Sequence, residues 1–348
     1  MKKSRMLTFI LILSLLLIAA ITLIYHFAGG KKEMKETFIN PIRSAPSADP
    51  WVIQKDGYYY YCYSNGNNKI FITKTKRLQD IDVDIPVNVW TSPLGKDYSK
   101  GTWAPELHFI DNKWYIYFAA DDGKNETHRM YVLECKTEDP QGEYTFKGKV
   151  SDDTNKWAID GTVLENKGKL YFIWSGWDSD TNVSQNLYIA EMSNPYTISG
   201  KRILISKPEK TWETIGQPYV NEGPEILRKG NNIHIVYSAS GSWTEDYCLG
   251  LLTNTDGDLL NPSSWKKSGP VFSKAETAYG PGHASFVKST DGNEDWIVYH
   301  ACEAANGGWD GRSIRAQKFT WENDYPKFGE PINLQKTIEV PSGTPKQD

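Results

Sequence analysis

Short runs in which apolar and aromatic positions alternate recur along most of this chain. Tyr58 to Ser64, Lys113 to Ala120, Lys169 to Gly176, Asn232 to Ala239 and Asp295 to Cys302 are rich in the aromatic and β-branched residues that fit a pleated sheet. A further run of the same kind follows each after a loop: Lys69 to Lys76, Met130 to Thr137, Asn186 to Ser193, Asp246 to Thr253 and Ser313 to Thr320. Turn formers precede the first set, as in Lys55-Asp56-Gly57, Asp111-Asn112, Asn166-Lys167-Gly168, Lys229-Gly230-Asn231 and Asp291-Gly292-Asn293. These read as hairpins. Helical periodicity is missing after residue 40, so helices are incidental and the chain reads as all-β.

Ahead of each hairpin stands a short motif of small residues, proline and acid. In order they are Ala48-Asp49-Pro50-Trp51, Trp103-Ala104-Pro105-Glu106, Ile159-Asp160-Gly161-Thr162, Glu222-Gly223-Pro224-Glu225 and Gly282-His283-Ala284-Ser285. Read at Asp49, Ala104, Asp160, Gly223 and His283, they are separated by 55, 56, 63 and 60 residues. Repetition that regular predicts one small sheet repeated around an axis, a five-bladed β-propeller.

The N-terminus is different in kind. Lys2, Lys3 and Arg5 precede an uncharged run from Met6 to Ala28, long enough to span a bilayer. It is read as a signal-anchor, or a signal peptide cleaved near Ala28-Gly29-Gly30, within residues 1–30. Residues 31–45 then form a tether, 46–335 the propeller and 336–348 a C-terminal tail. The main domain is accordingly expected outside the cytoplasm, attached to the membrane through the N-terminal segment if that segment is kept.

Composition narrows the function. A net charge of −4 without a basic stripe argues against nucleic acid, which requires clustered Lys and Arg. Thirteen Trp and twenty Tyr favour both sheet packing and stacking on sugar rings. Cys62, Cys135, Cys248 and Cys302 fall in or beside strands of four different repeats without Cys-x-x-Cys spacing, which is the pattern of small buried apolar groups.

In a propeller the innermost strands line the central channel, so Asp49, Asp160, Glu222 and His283 are expected at one funnel with Trp103 beside them. Three converging carboxylates oppose one another's ionisation, and carboxyls whose pKa values are driven apart are what acid and base catalysis uses. Asp49-Pro50 and Asp160-Gly161 could also be simple turns, and Glu213 and Glu225 compete with Glu222.

Ser47-Ala48-Asp49-Pro50-Trp51, Trp103-Ala104-Pro105-Glu106, Ala158-Ile159-Asp160-Gly161-Thr162, Asn221-Glu222-Gly223-Pro224-Glu225 and Gly280-Pro281-Gly282-His283 resemble the successive blade motifs of family 43 glycoside hydrolases. This is the arabinanase, arabinofuranosidase and β-xylosidase group, and the resemblance runs from about Pro46 to about Pro331. It implies an inverting hydrolase in which Asp49 is the general base, Glu222 the general acid and Asp160 the carboxyl that tunes and orients the acid. Base and acid would then stand about 6.5–9.5 Å apart. His283 matches the family's central histidine, implying a structural Ca²⁺ or Na⁺ held through water; its other reading is purely structural.

Gly311-Arg312-Ser313 resembles a segment reaching the sugar in the first subsite, with Arg315 as competitor. Trp51, Trp103, Trp177, Trp243 and Trp309 could stack on sugar faces, Trp103 first among them. The expected substrates are arabinose- or xylose-containing oligo- and polysaccharides. Family xylosidases often append a C-terminal β-sandwich, and this chain stops soon after the fifth repeat, which favours an α-L-arabinofuranosidase on arabinan or arabinoxylan. A β-xylosidase, an endo-arabinanase and a non-catalytic sugar-binding propeller are the alternatives.

Overall fold

Asp49, Ala104, Asp160, Gly223 and His283 all have left-handed backbones, with φ of 50°, 39°, 53°, 53° and 44°, in a computed structural model that describes residues 35–347. Four of the five are not glycine, and a left-handed L-residue costs about 1–3 kcal/mol. One such residue stands before or within the first strand of every repeat.

Each repeat builds four antiparallel strands in chain order. The first uses β1 (Trp51–Lys55), β2 (Tyr58–Ser64), β3 (Lys69–Thr75) and β4 (Val87–Thr91), and the second β5 (Lys100–Ile110), β6 (Lys113–Asp121), β7 (Arg129–Cys135) and β8 (Tyr144–Val150). The third uses β9 (Ala158–Asn166), β10 (Lys169–Gly176), β11 (Ser184–Asn194) and β12 (Ile203–Ser206). The fourth uses β13 (Tyr219–Lys229), β14 (Asn232–Ala239), β15 (Cys248–Asn254) and β16 (Trp265–Phe272). A short parallel pairing of Ser184 and Gln185 with Tyr219 and Val220 joins these two into one larger sheet. The last uses β17 (Tyr279–Lys288), β18 (Asp295–Cys302), β19 (Arg312–Glu322) and β20 (Tyr325–Lys327).

Hairpin turns have the expected chemistry. Asp56-Gly57, Asp111-Asn112 and Lys167-Gly168 each place two residues at positive φ, the twist that a two-residue hairpin needs. In β5, β9, β13 and β17 the ladder slips at the left-handed residue, between Trp103 and Glu106, Ile159 and Thr162, Glu222 and Glu225, and Gly282 and Ser285. Such a bulge bends the strand and re-aims its side chains.

Packing follows from the period of two. Tyr60 and Cys62 on one face of β2 pack against Leu107, Trp114 and Ile116 of the second sheet. Tyr59 and Tyr61 on the other face join Trp296, Val298 and Ile314 of the last sheet. Equivalent seams join the second sheet to the third, the third to the fourth and the fourth to the last, so both faces of each sheet are covered. The first strands touch in turn: β1 with β5, β5 with β9, β9 with β13, β13 with β17 and β17 with β1.

Among the described residues there is no α-helix, only the short 3₁₀ turns Leu78–Asp80, Asn125–Thr127, Thr211–Glu213 and Pro262–Ser264. None of these residues forms a helix long and apolar enough to cross a membrane; the run from Met6 to Ala28 lies outside them. The segment read as a tether is partly fixed. Asn40 exchanges two hydrogen bonds with the Ala316 backbone, at 3.0 and 2.9 Å, and Ile42 N–H donates to the Ile314 carbonyl at 2.8 Å. The C-terminal stretch is held too, with Ile338 in an apolar seam and the Ser342 hydroxyl 2.7 Å from Asp291. The two segments also meet each other, Thr37–Phe38 pairing with Ile338–Glu339 as a two-stranded sheet too short to show a period. All four cysteines are buried free thiols.

Candidate active site

The left-handed residue ahead of β1 sends the Asp49 carboxylate toward the last sheet. Its Oδ1 lies 3.2 Å from His283 Nδ1, 3.4 Å from His300 Nδ1 and 3.5 Å from Arg312 Nη1. Burial opposes ionisation, but His283 and then Arg312 outweigh it and hold the carboxyl far below the usual carboxylate range. His300 is fully buried, and its Nδ1 accepts the Asp49 backbone N–H at 3.2 Å. Burial pushes its pKa down to about 4, so the ring is neutral at physiological pH.

Asp160 and Glu222 face the opposite condition. Asp160 is 3% exposed and its Oδ2 accepts the Gly223 backbone N–H at 3.1 Å. Burial, then repulsion from Glu222 and Asp49, drives its pKa well up. Glu222 accepts a hydrogen bond from Tyr247 at 2.8 Å, and burial lifts its pKa to about 7 despite that bond. The two buried acids therefore retain a proton near neutrality, while Asp49 carries its charge.

The competing residues have partners of their own. Glu213 is fully buried and lies 2.9 and 3.0 Å from Lys267 Nζ, which keeps it ionised and unable to donate a proton. Glu225 is driven up by burial and by Glu106, whose own Oε2 lies 2.8 Å from His108 Nε2. Arg315 is fully buried and donates to the Thr277 carbonyl at 2.6 Å, leaving Arg312 as the arginine beside Asp49.

The tryptophans separate into two groups. Trp177 is 3% exposed and stacks on Trp157 at 4.7 Å, so it has no free face for a sugar, which corrects its place among the stacking candidates. Trp51 is half-buried, with its indole N–H on the Leu107 carbonyl at 2.8 Å and its ring 4.6 Å from His108, in the seam between the first two sheets. Trp103 is half-buried and stacks on His128 at 3.9 Å. Trp243 and Trp309 are 38% and 57% exposed and meet edge to face at 6.3 Å, and Trp243 lines a depression together with Tyr279 and Arg312.

Among the described residues no three His, Cys, Asp or Glu side chains gather as a ligand set, and His283 Nδ1 already faces Asp49. The side chains present therefore do not fit an ion held directly. Three residues of this region escaped the sequence reading: His300, Tyr247 and Ser238, whose Oγ accepts the His283 backbone N–H at 2.8 Å. His300 and Ser238 sit mid-strand and Tyr247 precedes β15, where nothing local separates them from the other strand residues.

Comparison with known proteins bears on the chain as a whole. An Extracellular exo-alpha-(1->5)-L-arabinofuranosidase of Streptomyces avermitilis is 37% identical over 310 residues, which cover 85% of this chain and 64% of that protein. The chain thus spans just under two thirds of that relative's length. A protein of the same name from Streptomyces chartreusis is 35% identical over 275 residues, covering 74% of this chain and 83% of that one. The crystal structure of an alpha-L-arabinofuranosidase from Lactobacillus brevis superposes with a TM-score of 0.80 at 38% identity, covering 86% of this chain and 98% of that one. The sequence pattern of Glycosyl hydrolases family 43 matches residues 38–326, and the chain belongs to that family.

Proposed function

We propose that this protein is an inverting exo-α-L-arabinofuranosidase that releases arabinose from arabinan or arabinoxylan, built on a five-bladed β-propeller. The observation that carries the reading is one carboxylate held ionised beside two histidines and an arginine, facing two buried carboxyls that keep a proton. The five left-handed register residues and the ring of contacts among first strands support the propeller. The names of the relatives favour arabinofuranoside over xyloside and exo over endo action.

In this reading Asp49 is the general base: it accepts a proton from the attacking water. Glu222 is the general acid and gives its proton to the departing glycosidic oxygen. Asp160, fixed by the Gly223 N–H, orients Glu222 and tunes it, because the two buried carboxyls repel each other as soon as both begin to ionise. Arg312 offers donors to sugar hydroxyls while it helps hold Asp49 charged, and Trp103, Trp243 and Trp51 contribute aromatic surface to the substrate. An ion at the centre, Ca²⁺ or Na⁺, would reach His283 only through water, and no step is routed through it. The names of the Streptomyces relatives include the word extracellular, which supports a site of action outside the cytoplasm, with residues 6–28 as anchor or signal.

The test is to incubate the protein with arabinan, arabinoxylan, xylo-oligosaccharides and aryl pentosides, following released sugar by NMR. Arabinose appearing first as the β-anomer is expected. Xylose as the principal product, or arabinose appearing first as the α-anomer, overturns the reading. Mass spectrometry of the membrane fraction decides the N-terminus: peptide from before Gly30 attached to the domain means an anchor, and a soluble form starting near Lys31 means cleavage.

A further inference from the structure

Glu222 is held by a buried hydrogen bond from Tyr247, which donates to its Oε1 at 2.8 Å. Next to this phenol, the His283 backbone N–H, which can donate and never accept, donates to Ser238 Oγ at 2.8 Å. A Cβ on Gly282 would touch both Ser238 Oγ and the Tyr247 ring, so the two side chains lie side by side. Both Ser238 and Tyr247 are fully buried, so water does not compete for either bond.

The phenol ring is seated as firmly as its hydroxyl. It stacks on His300 with centroids 5.6 Å apart and planes 9° apart. On Gly282 a Cβ would lie 2.3 and 2.5 Å from two carbons of the Tyr247 ring, so only glycine leaves room for it there. His300 in turn accepts the Asp49 backbone N–H. The ring thus connects the element that carries the ionised acid to the one that keeps its proton, and the glycine of Gly282-His283 has a physical reason.

We propose that Tyr247 is a positioning residue for the acid step: by occupying Oε1 of Glu222 as a donor, it leaves Oε2 as the oxygen that carries the proton to the glycosidic oxygen. This rests on the reading of Glu222 as the general acid. A carboxyl free to rotate would place its proton on either oxygen; one whose Oε1 always accepts presents Oε2–H in a single direction. The charged and titratable groups that bear on Glu222 are Asp160 from β9, Asp49 ahead of β1, Arg312 from β19 and Tyr247 itself, with His283 of β17 beside Asp49. Of these, Tyr247 and Arg312 favour the ionised form.

The experiment is a set of pH–rate profiles of the full chain on aryl arabinofuranosides with good and poor leaving groups. In Tyr247→Phe the alkaline limb should move up by about one unit, because a donor that favours the carboxylate is gone. On the poor leaving group kcat should fall about tenfold with KM nearly unchanged, and on the good leaving group much less. Gly282→Ala, which displaces the ring without removing the hydroxyl, should show the same split. Tyr237→Phe removes an equally buried phenol that donates instead to Glu213 at 2.8 Å, and should leave the limb in place.

An unmoved limb in Tyr247→Phe, or an equal movement in Tyr237→Phe, overturns the proposal. Glu222→Gln separates the two levels. Full activity of that variant on poor leaving groups sinks the reading of Glu222 as acid and the proposal with it; loss of that activity beside a wild-type profile in Tyr247→Phe sinks the proposal alone.

Discussion

Glu213 and Glu222 are both buried and both accept a hydrogen bond at 2.8 Å from a buried tyrosine, yet they hold protons in opposite ways. Glu213 has Lys267 against both oxygens, the Glu209 and Lys210 backbone N–H groups at 3.0 and 2.9 Å, and the Asn221 amide at 3.1 Å. Burial works against its charge, and these donors overcome it. Around Glu222 burial is joined by repulsion from Asp49, and the opposing Tyr247 and Arg312 do not overcome them. A tyrosine hydrogen bond therefore does not decide whether a buried carboxyl is charged. The number of further donors and the sign of the nearest charge decide it.

The contrast breaks first at catalysis. Glu222→Gln should lower kcat on arabinofuranosides with poor leaving groups by about 10²–10⁴-fold and spare good leaving groups. Asp49→Asn should slow both together, since both need water activation, and azide should partly rescue Asp49→Ala from the vacated side. Steady-state kinetics on paired substrates checks this; the same leaving-group dependence in both variants would invert the assignment.

Glu213→Gln should do the reverse. It leaves the half-buried Lys267 without its counter-charge, with the Lys207 carbonyl at 2.7 Å remaining, a loss of up to about 3 kcal/mol in unfolding experiments. Activity per folded molecule should stay within about twofold of wild type. A Glu213→Gln variant that kept its stability would mean that Lys267 finds water or another partner.

The pH dependence of stability sharpens the pair further. Glu222 holds its proton more tightly folded than unfolded, so its contribution is full below about 4.5, the free value, and is lost as the pH rises through about 7. Glu213 is shifted downward, so its contribution is present above its free value and is lost as the pH falls through the folded pKa. Denaturant unfolding of wild type against Glu222→Gln should diverge between about pH 4.5 and 7, and against Glu213→Gln below about pH 4.5. The same ionisation of Glu222 should make the hydrolysis rate fall above about pH 7.

The smallest expected effect is that of a chelator. Dialysis against one should leave kcat within about twofold, because no described side-chain cluster holds an ion directly. A large loss restored by Ca²⁺ alone would assign the water-bridged ion a part in catalysis.

What could be read in the sequence and what could not differ in their physical origin. The strands Tyr58–Ser64, Lys169–Gly176, Asn232–Ala239 and Asp295–Cys302 match their expected bounds because both faces are buried and the turns before them have special backbones. The outermost strands left no such trace. Val87–Thr91 is largely exposed, and Trp265–Phe272 carries Gly269-Pro270, so neither shows a period. Asp49, Asp160, Glu222 and His283 were legible because each sits in a motif forced by a left-handed turn. Their partners were not. Tyr247 and His300 owe their place to contacts with residues 25 and 251 positions away, which no local pattern encodes.

The left-handed turns carry a consequence for protein engineering. At Asp49, Asp160 and His283 glycine would relieve the backbone, adding about 1–3 kcal/mol per position. Each such replacement would also delete a side chain that the proposed chemistry uses. Selection for survival after heating and selection for turnover therefore pull in opposite directions at these three sites. A thermostability screen that scores only soluble, folded protein would drift toward a sturdier ring of sheets with a silent centre, and the screen has to read released sugar at every round to avoid it.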